Sequence, residues 1–108
     1  MTLNEYQLAA LLTEDFDKET ALQTAGLGLC EEAGEVAGKL KRLYRDHSGE
    51  LSDELRREIA YEIGDCTWYC AVLASKIGYP LDVIAQMNNN KCQSRKERGV
   101  LHGSGDNR

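Results

Sequence analysis

The 108-residue chain has one proline, one tryptophan, one phenylalanine and two histidines. Four cysteines are present, Cys30, Cys66, Cys70 and Cys92, but no two are spaced C-x-x-C, which removes the usual structural zinc knuckle. Cys66 and Cys70 stand four apart in an apolar run, where free cysteine is expected to act as a small buried hydrophobe, so no disulfide framework is implied. No window approaches the roughly 18 apolar residues of a membrane span. The N-terminal Met-Thr-Leu-Asn-Glu-Tyr-Gln also lacks the basic-then-apolar pattern of a signal sequence. The expectation is a cytoplasmic protein with no membrane partner. Alternating β-branched runs are missing too, so a sheet has no support. A chain this short cannot divide into two units that each bury a useful core, and one domain is expected.

Charge is present in quantity, with 13 Lys and Arg against 18 Asp and Glu and a formal net of -5. That sum argues against a general nucleic-acid binder. It also conceals an asymmetry. Residues 1–90 carry 8 basic and 16 acidic side chains, whereas residues 91–108 carry 5 basic and 2 acidic ones. An acidic body bears a cationic end.

Apolar positions recur at three and four, which predicts an all-α fold of four helices. The first covers about Leu3 to Thr13, with Thr2 or Asn4 as cap and a stripe of Leu3, Leu8, Leu11 and Leu12. The second runs from Lys18 or Thr20 to about Tyr44. The third opens on the Ser52 hydroxyl with acids in its first turn and continues to about Ile77. Gly78-Tyr79-Pro80 is punctuation between helices, and the fourth runs from Pro80-Leu81 to roughly Lys96. Residues 1–98 form the expected domain. Residues 99–108, with Gly99, Gly103 and Gly105, form a basic tail that Val100 and Leu101 could dock.

A helix turns about 100° per residue. On the second helix, Leu22, Ala25, Leu29, Ala33, Val36, Leu40 and Leu43 recur at helical spacing as the expected core stripe, and Glu31, Glu32, Glu35 and Gly28 share one flank of it. The third repeats this construction. Ile59, Ile63, Cys66, Cys70, Leu73 and Ile77 form the stripe, with Glu58, Glu62, Asp65 and Tyr69 beside it. Like charges at these spacings disfavour a helix, so something should offset them. Two such helices packed as an antiparallel hairpin can present Glu32, Glu35, Glu62 and Asp65 across one groove, and hard oxygen ligands suit Mg²⁺ or Mn²⁺ better than zinc. A di-iron carboxylate bundle needs Glu-x-x-His from two helices. It fails here, because His47 and His102 lie in predicted loops.

The order Glu31-Glu32-Ala33-Gly34-Glu35, 26 residues, then Glu62-Ile63-Gly64-Asp65 resembles the E-E-x-x-E, spacer, E-x-x-D signature of the MazG-like all-α nucleoside triphosphate pyrophosphohydrolases. Asn88, Lys91 and Arg95 are similar to the N-x-x-K-x-x-x-R segment of that superfamily's last helix, and Arg98 to Arg108 resemble the tail of its short, single-domain phage and bacterial members. The resemblance implies hydrolysis of a (deoxy)nucleoside triphosphate to a monophosphate and pyrophosphate, with Mg²⁺, or Mn²⁺ in its place, on Glu32, Glu35, Glu62 and Asp65. It gives Glu31 a further metal contact or the attacking water, makes Glu35 catalytic as well as a ligand, and puts the phosphates on Asn88, Lys91, Arg95 and the basic tail ending in Arg108. The physics agrees, since a triphosphate needs cations both to approach an acidic groove and to stabilise its leaving pyrophosphate.

The third helix from Cys66 to Ile77 holds one charge, Lys76, and carries Tyr61, Trp68 and Val72 opposite its stripe. A helix apolar nearly all round in so small a chain predicts self-association as a homodimer or homotetramer. Tyr69, on the acid flank, is the expected base contact. The alternative of another class is a non-catalytic helical module that binds metal or nucleotide, or mediates assembly. It explains the apolar stripes but not two acid arcs and a cationic end in one chain.

Overall fold

The computed structural model describes residues 1–108 as four helices without a strand: α1 Leu3–Leu11, α2 Ala21–His47, α3 Asp53–Lys76 and α4 Leu81–Glu97. Local chemistry sets most of the boundaries. Thr2 caps α1 in a capping box, its hydroxyl accepting from the Glu5 N–H at 3.0 Å while the Glu5 carboxylate accepts from the Thr2 N–H at 3.3 Å. Ser52 caps α3 by accepting from the Leu55 N–H at 3.2 Å. α2 continues three residues past its expected end. Arg45 and His47 suit the negative end of the helix, and left-handed Ser48 and Gly49 close it, the Gly49 N–H reaching the Leu43 carbonyl at 3.0 Å.

α4 starts at a proline, which offers no side-chain cap. Two side chains of α1 do that work. Asn4 Oδ1 accepts from the Asp82 N–H at 3.0 Å, and Gln7 Oε1 from the Leu81 N–H at 2.9 Å. The buried Gln7 also donates through Nε2 to the carbonyls of Ala71 at 3.3 Å and Tyr79 at 3.0 Å, so one amide ties α1, the end of α3 and the start of α4 together.

α2 and α3 form an antiparallel hairpin. Gly28 faces Tyr69, Glu32 faces Glu62 and Asp65, and Lys39 pairs with Glu58 at 3.2 Å. The Gly28–Tyr69, Glu32–Asp65 and Lys39–Glu58 pairs all fall in one antiparallel register. α1 packs on α3 and α4, whereas α4 makes no contact with α2. The core is Ala10, Ala71, Val72, Ala74 and Leu81, walled by Tyr6, Phe16, Trp68 and Ile84.

Packing rotates the expected stripes. On α2 the buried positions are Ala21, Ala25 and Leu43, turned toward the Glu32 flank, while Leu22 is 52 % exposed and Leu40 and Ala33 are also open. On α3 the buried residues are Ala71, Val72 and Ala74, and Ile63, Cys70 and Ile77 face outward. On α1, Gln7 and Ala10 are buried and Leu8 and Leu12 are exposed. Small residues let the backbones approach, so Ala21, Ala25 and Gly28 take the seam and several large apolar side chains, Leu22, Leu40 and Ile63 among them, are left outside it. The cysteines follow suit. All four are free, with Cys66 half-buried and the other three exposed instead of acting as core hydrophobes.

Trp68, the reason for expecting a partner on the far side of α3, is partly covered within the chain. Its Nε1 donates to the Thr13 hydroxyl at 2.9 Å, and its ring meets Phe16 edge-on at 5.7 Å. The open face lies opposite. Because the hairpin is antiparallel and Leu22, Ala33, Leu40, Ile63, Cys70 and Ile77 sit at matching angles on their helices, they share one side of it. The radius of gyration is 16.6 Å, against about 13 Å for a compact chain of this length. No helix is long and apolar enough to cross a membrane.

Candidate metal centre and phosphate-binding end

Midway along the hairpin, Glu32 of α2 and Glu62 and Asp65 of α3 each place a carboxylate oxygen within 4.8 Å of the others. Glu32 and Glu62 are half-buried and Asp65 is exposed. Glu32 is held above the ordinary glutamate range, first by loss of water and then by the charges of Asp65, Glu31, Glu62 and Glu35. Three hard oxygen donors forced together with no internal counter-charge can hold a divalent cation. Lys39 neutralises Glu58, one turn from Glu62 on α3, and leaves the cluster itself unpaired.

Of the four expected ligands, Glu32, Glu62 and Asp65 converge. Glu35, one turn along α2, lies outside this trio and near enough to raise Glu32. Glu31 is exposed and acts on Glu32 in the same direction.

Tyr69 occupies the seam. Its ring lies where a side chain on Gly28 would stand, stacks on Phe16 with centroids 6.2 Å apart and meets Trp68 edge-on at 4.9 Å. The open groove beside the carboxylates, about 460 Å³, is lined instead by Tyr6, Arg57, Ala60, Tyr61, Gly64, Asp65 and Trp68. The Arg57 guanidinium lies over the Tyr61 ring, 5.7 Å from its centroid. Tyr6 and Arg57 were not among the expected site residues. Arg57 stands one turn from Tyr61 on α3 and could have been noticed; Tyr6 reaches the groove only because α1 packs across α3, which no local pattern encodes.

The expected phosphate contacts gather elsewhere, at the end of α4 and on the segment after it. Lys91 and Arg95 pair with Asp106, and Arg95 is buried under the tail. Arg108 donates to the carbonyls of Val100 at 3.2 Å, Leu101 at 3.1 Å and Gly105 at 2.6 Å, so the tail folds back as an ordered loop. Asn88 is exposed, and its side-chain oxygen faces Cys92 Sγ at 3.9 Å.

Residues 20–100 match the MazG nucleotide pyrophosphohydrolase domain. The chain belongs to the MazG family. It is also 43% identical over 114 residues, covering all of both chains, to the Gene 37 protein of Mycobacterium phage L5, whose name states no activity. No solved structure matches the chain. The MazG match spans both acid helices and α4 through Val100, so the carboxylate trio and Lys91 and Arg95 fall within the region it covers. The all-helical architecture fits a MazG-type fold.

Proposed function

We propose that the protein hydrolyses a (deoxy)nucleoside triphosphate to the monophosphate and pyrophosphate with Mg²⁺, Mn²⁺ being an alternative ion. The observation that carries this reading is the convergence of Glu32, Glu62 and Asp65 from two helices beside an apolar groove, in a chain of the MazG family. Glu32, Glu62 and Asp65 would hold the ion, with Glu35 as the fourth carboxylate. When bound, the ion supplies charge neutralisation for the polyphosphate and acidifies water. Glu31 and Glu35 border the trio at positions where a carboxylate can orient a water or take its proton. The groove shares Asp65 with the trio and offers Tyr6, Tyr61 and Trp68 as a surface for a nucleobase. Lys91, Arg95 and Arg108 carry the positive charge that the leaving pyrophosphate requires.

Assembly is part of the reading. The chain exposes 7813 Å², whereas a compact 12.0 kDa protein exposes about 6,000 Å². The excess is of the size that an obligate interface covers per subunit. The face carrying Leu22, Leu40, Ile63 and Ile77 suits a second copy in a homodimer or homotetramer.

The test is a product assay on ribo- and deoxyribonucleoside triphosphates with Mg²⁺. Glu35→Gln and Asp65→Asn should abolish turnover with helicity intact. Activity that survives both changes places the site elsewhere.

A further inference from the structure

The cationic end contains an anion of its own. Lys91 Nζ and Arg95 Nη2 each lie 3.5 Å from the same oxygen, Asp106 Oδ1. Arg95 reaches this place buried, its Nη2 also donating at 3.2 Å to the main-chain oxygens of Gly105 and Asp106, while its Nε has no partner. The loop that carries Asp106 does not depend on that carboxylate. Arg108 fastens it through three carbonyls, Arg98 donates to the Arg108 main-chain oxygen at 2.8 Å, and Gly103 and Gly105 take the positive φ of 139° and 85° that the fold-back needs.

The Asp106 side chain is 87 % exposed although two cations converge on it. Lys91, and after it Arg95, holds the carboxyl below the usual aspartate range, as expected for an anion seated between positive charges. Rotation of one exposed side chain would free Lys91 and leave Arg95 held only by its two main-chain contacts, while the backbone loop stayed in place. An anion with more charge and more oxygens than a carboxylate is the ligand that could take them over.

We propose that Asp106 is an internal competitor for Lys91 and Arg95, seated where a polyphosphate oxygen binds and displaced when pyrophosphate or the phosphate chain of a nucleotide arrives. The inference rests on the reading of Lys91 and Arg95 as phosphate contacts. Such a competitor sets a threshold: weakly charged anions fail to displace it, and a departing product is replaced by the side chain.

The test uses the full chain in EDTA at low salt, titrated calorimetrically with inorganic pyrophosphate, so neither metal nor turnover enters. Asp106→Asn keeps the size of the side chain and all main-chain contacts. It should bind pyrophosphate about two- to fivefold more tightly than the unsubstituted chain, the range for losing an exposed ion-pair competitor, and the difference should shrink as salt is added. Lys91→Ala should weaken binding in either background. Equal or weaker binding by Asp106→Asn overturns the proposal, since Asp106 would then order the cations for the ligand. Absence of pyrophosphate binding to both chains overturns it as well. Failure to hydrolyse triphosphates would leave the titration unaffected, so the two readings fail separately.

Discussion

Glu32 shows at the scale of a residue how function and stability oppose each other. Its carboxylate is crowded by Asp65, Glu31, Glu62 and Glu35, and it binds a proton more readily in the folded chain than in the unfolded one. Folding therefore takes up protons, and the metal-free protein should gain stability as pH falls from neutrality through the interval between Glu32's raised value and the ordinary glutamate range. Glu32→Gln removes the repulsion. By differential scanning fluorimetry it should melt higher than the unsubstituted chain in EDTA and lose the upward shift that Mg²⁺ produces. Gln7 is the reverse case, a buried polar side chain whose worth is structural. Gln7→Leu strands the Leu81 N–H and two carbonyls, and should lower stability by about 2–3 kcal/mol in urea denaturation. The converging carboxylates Glu32, Glu62 and Asp65 were legible in the sequence because their spacing on α2 and α3 is a helical pattern. Gln7 was not, because a lone glutamine on a short helix signals nothing until the start of α4 is placed against it.

For the helices, existence and order followed from periodicity and punctuation, and orientation about the axes did not. The wheel directs each stripe by its largest apolar residues, whereas the α2–α3 seam selects Ala21, Ala25 and Gly28, which let the backbones and the Tyr69 ring come close. Gly28 is the clearest instance. A Cβ there would stand within the Tyr69 ring, so Gly28→Ala must push α3 or the ring aside. Despite the gain in helix propensity, it should cost about 1–3 kcal/mol in chemical denaturation. In a Tyr69→Leu background most of that penalty should vanish, a non-additivity that a double-mutant cycle reads directly. Equal penalties in both backgrounds would mean that the ring does not determine the seam.

For the whole molecule, the expectation of self-association came from the face of Trp68, and the structure moves the argument to the other side of the hairpin. Phe16 and Thr13 cover part of Trp68, while Leu22, Leu40, Ile63 and Ile77 stand open. Trp68 emission is therefore no measure of assembly. Sedimentation equilibrium at micromolar concentration should give a dimer or tetramer, and Ile63→Glu together with Leu22→Glu should shift it toward monomer; a monomeric parent chain would contradict this reading. The net charge of -5 likewise resolves into two separate parts, a carboxylate cluster on the hairpin and a cationic stretch from Lys91 to Arg98 at the end of α4.

The most direct test of the account is the identity of the released anion. With Mg²⁺ and a panel of nucleoside triphosphates, the account predicts one pyrophosphate and one nucleoside monophosphate per turnover on at least one member, with no orthophosphate formed and all activity lost in EDTA. Orthophosphate and diphosphate as products, or no turnover on any member by the folded, metal-supplied protein, would contradict it.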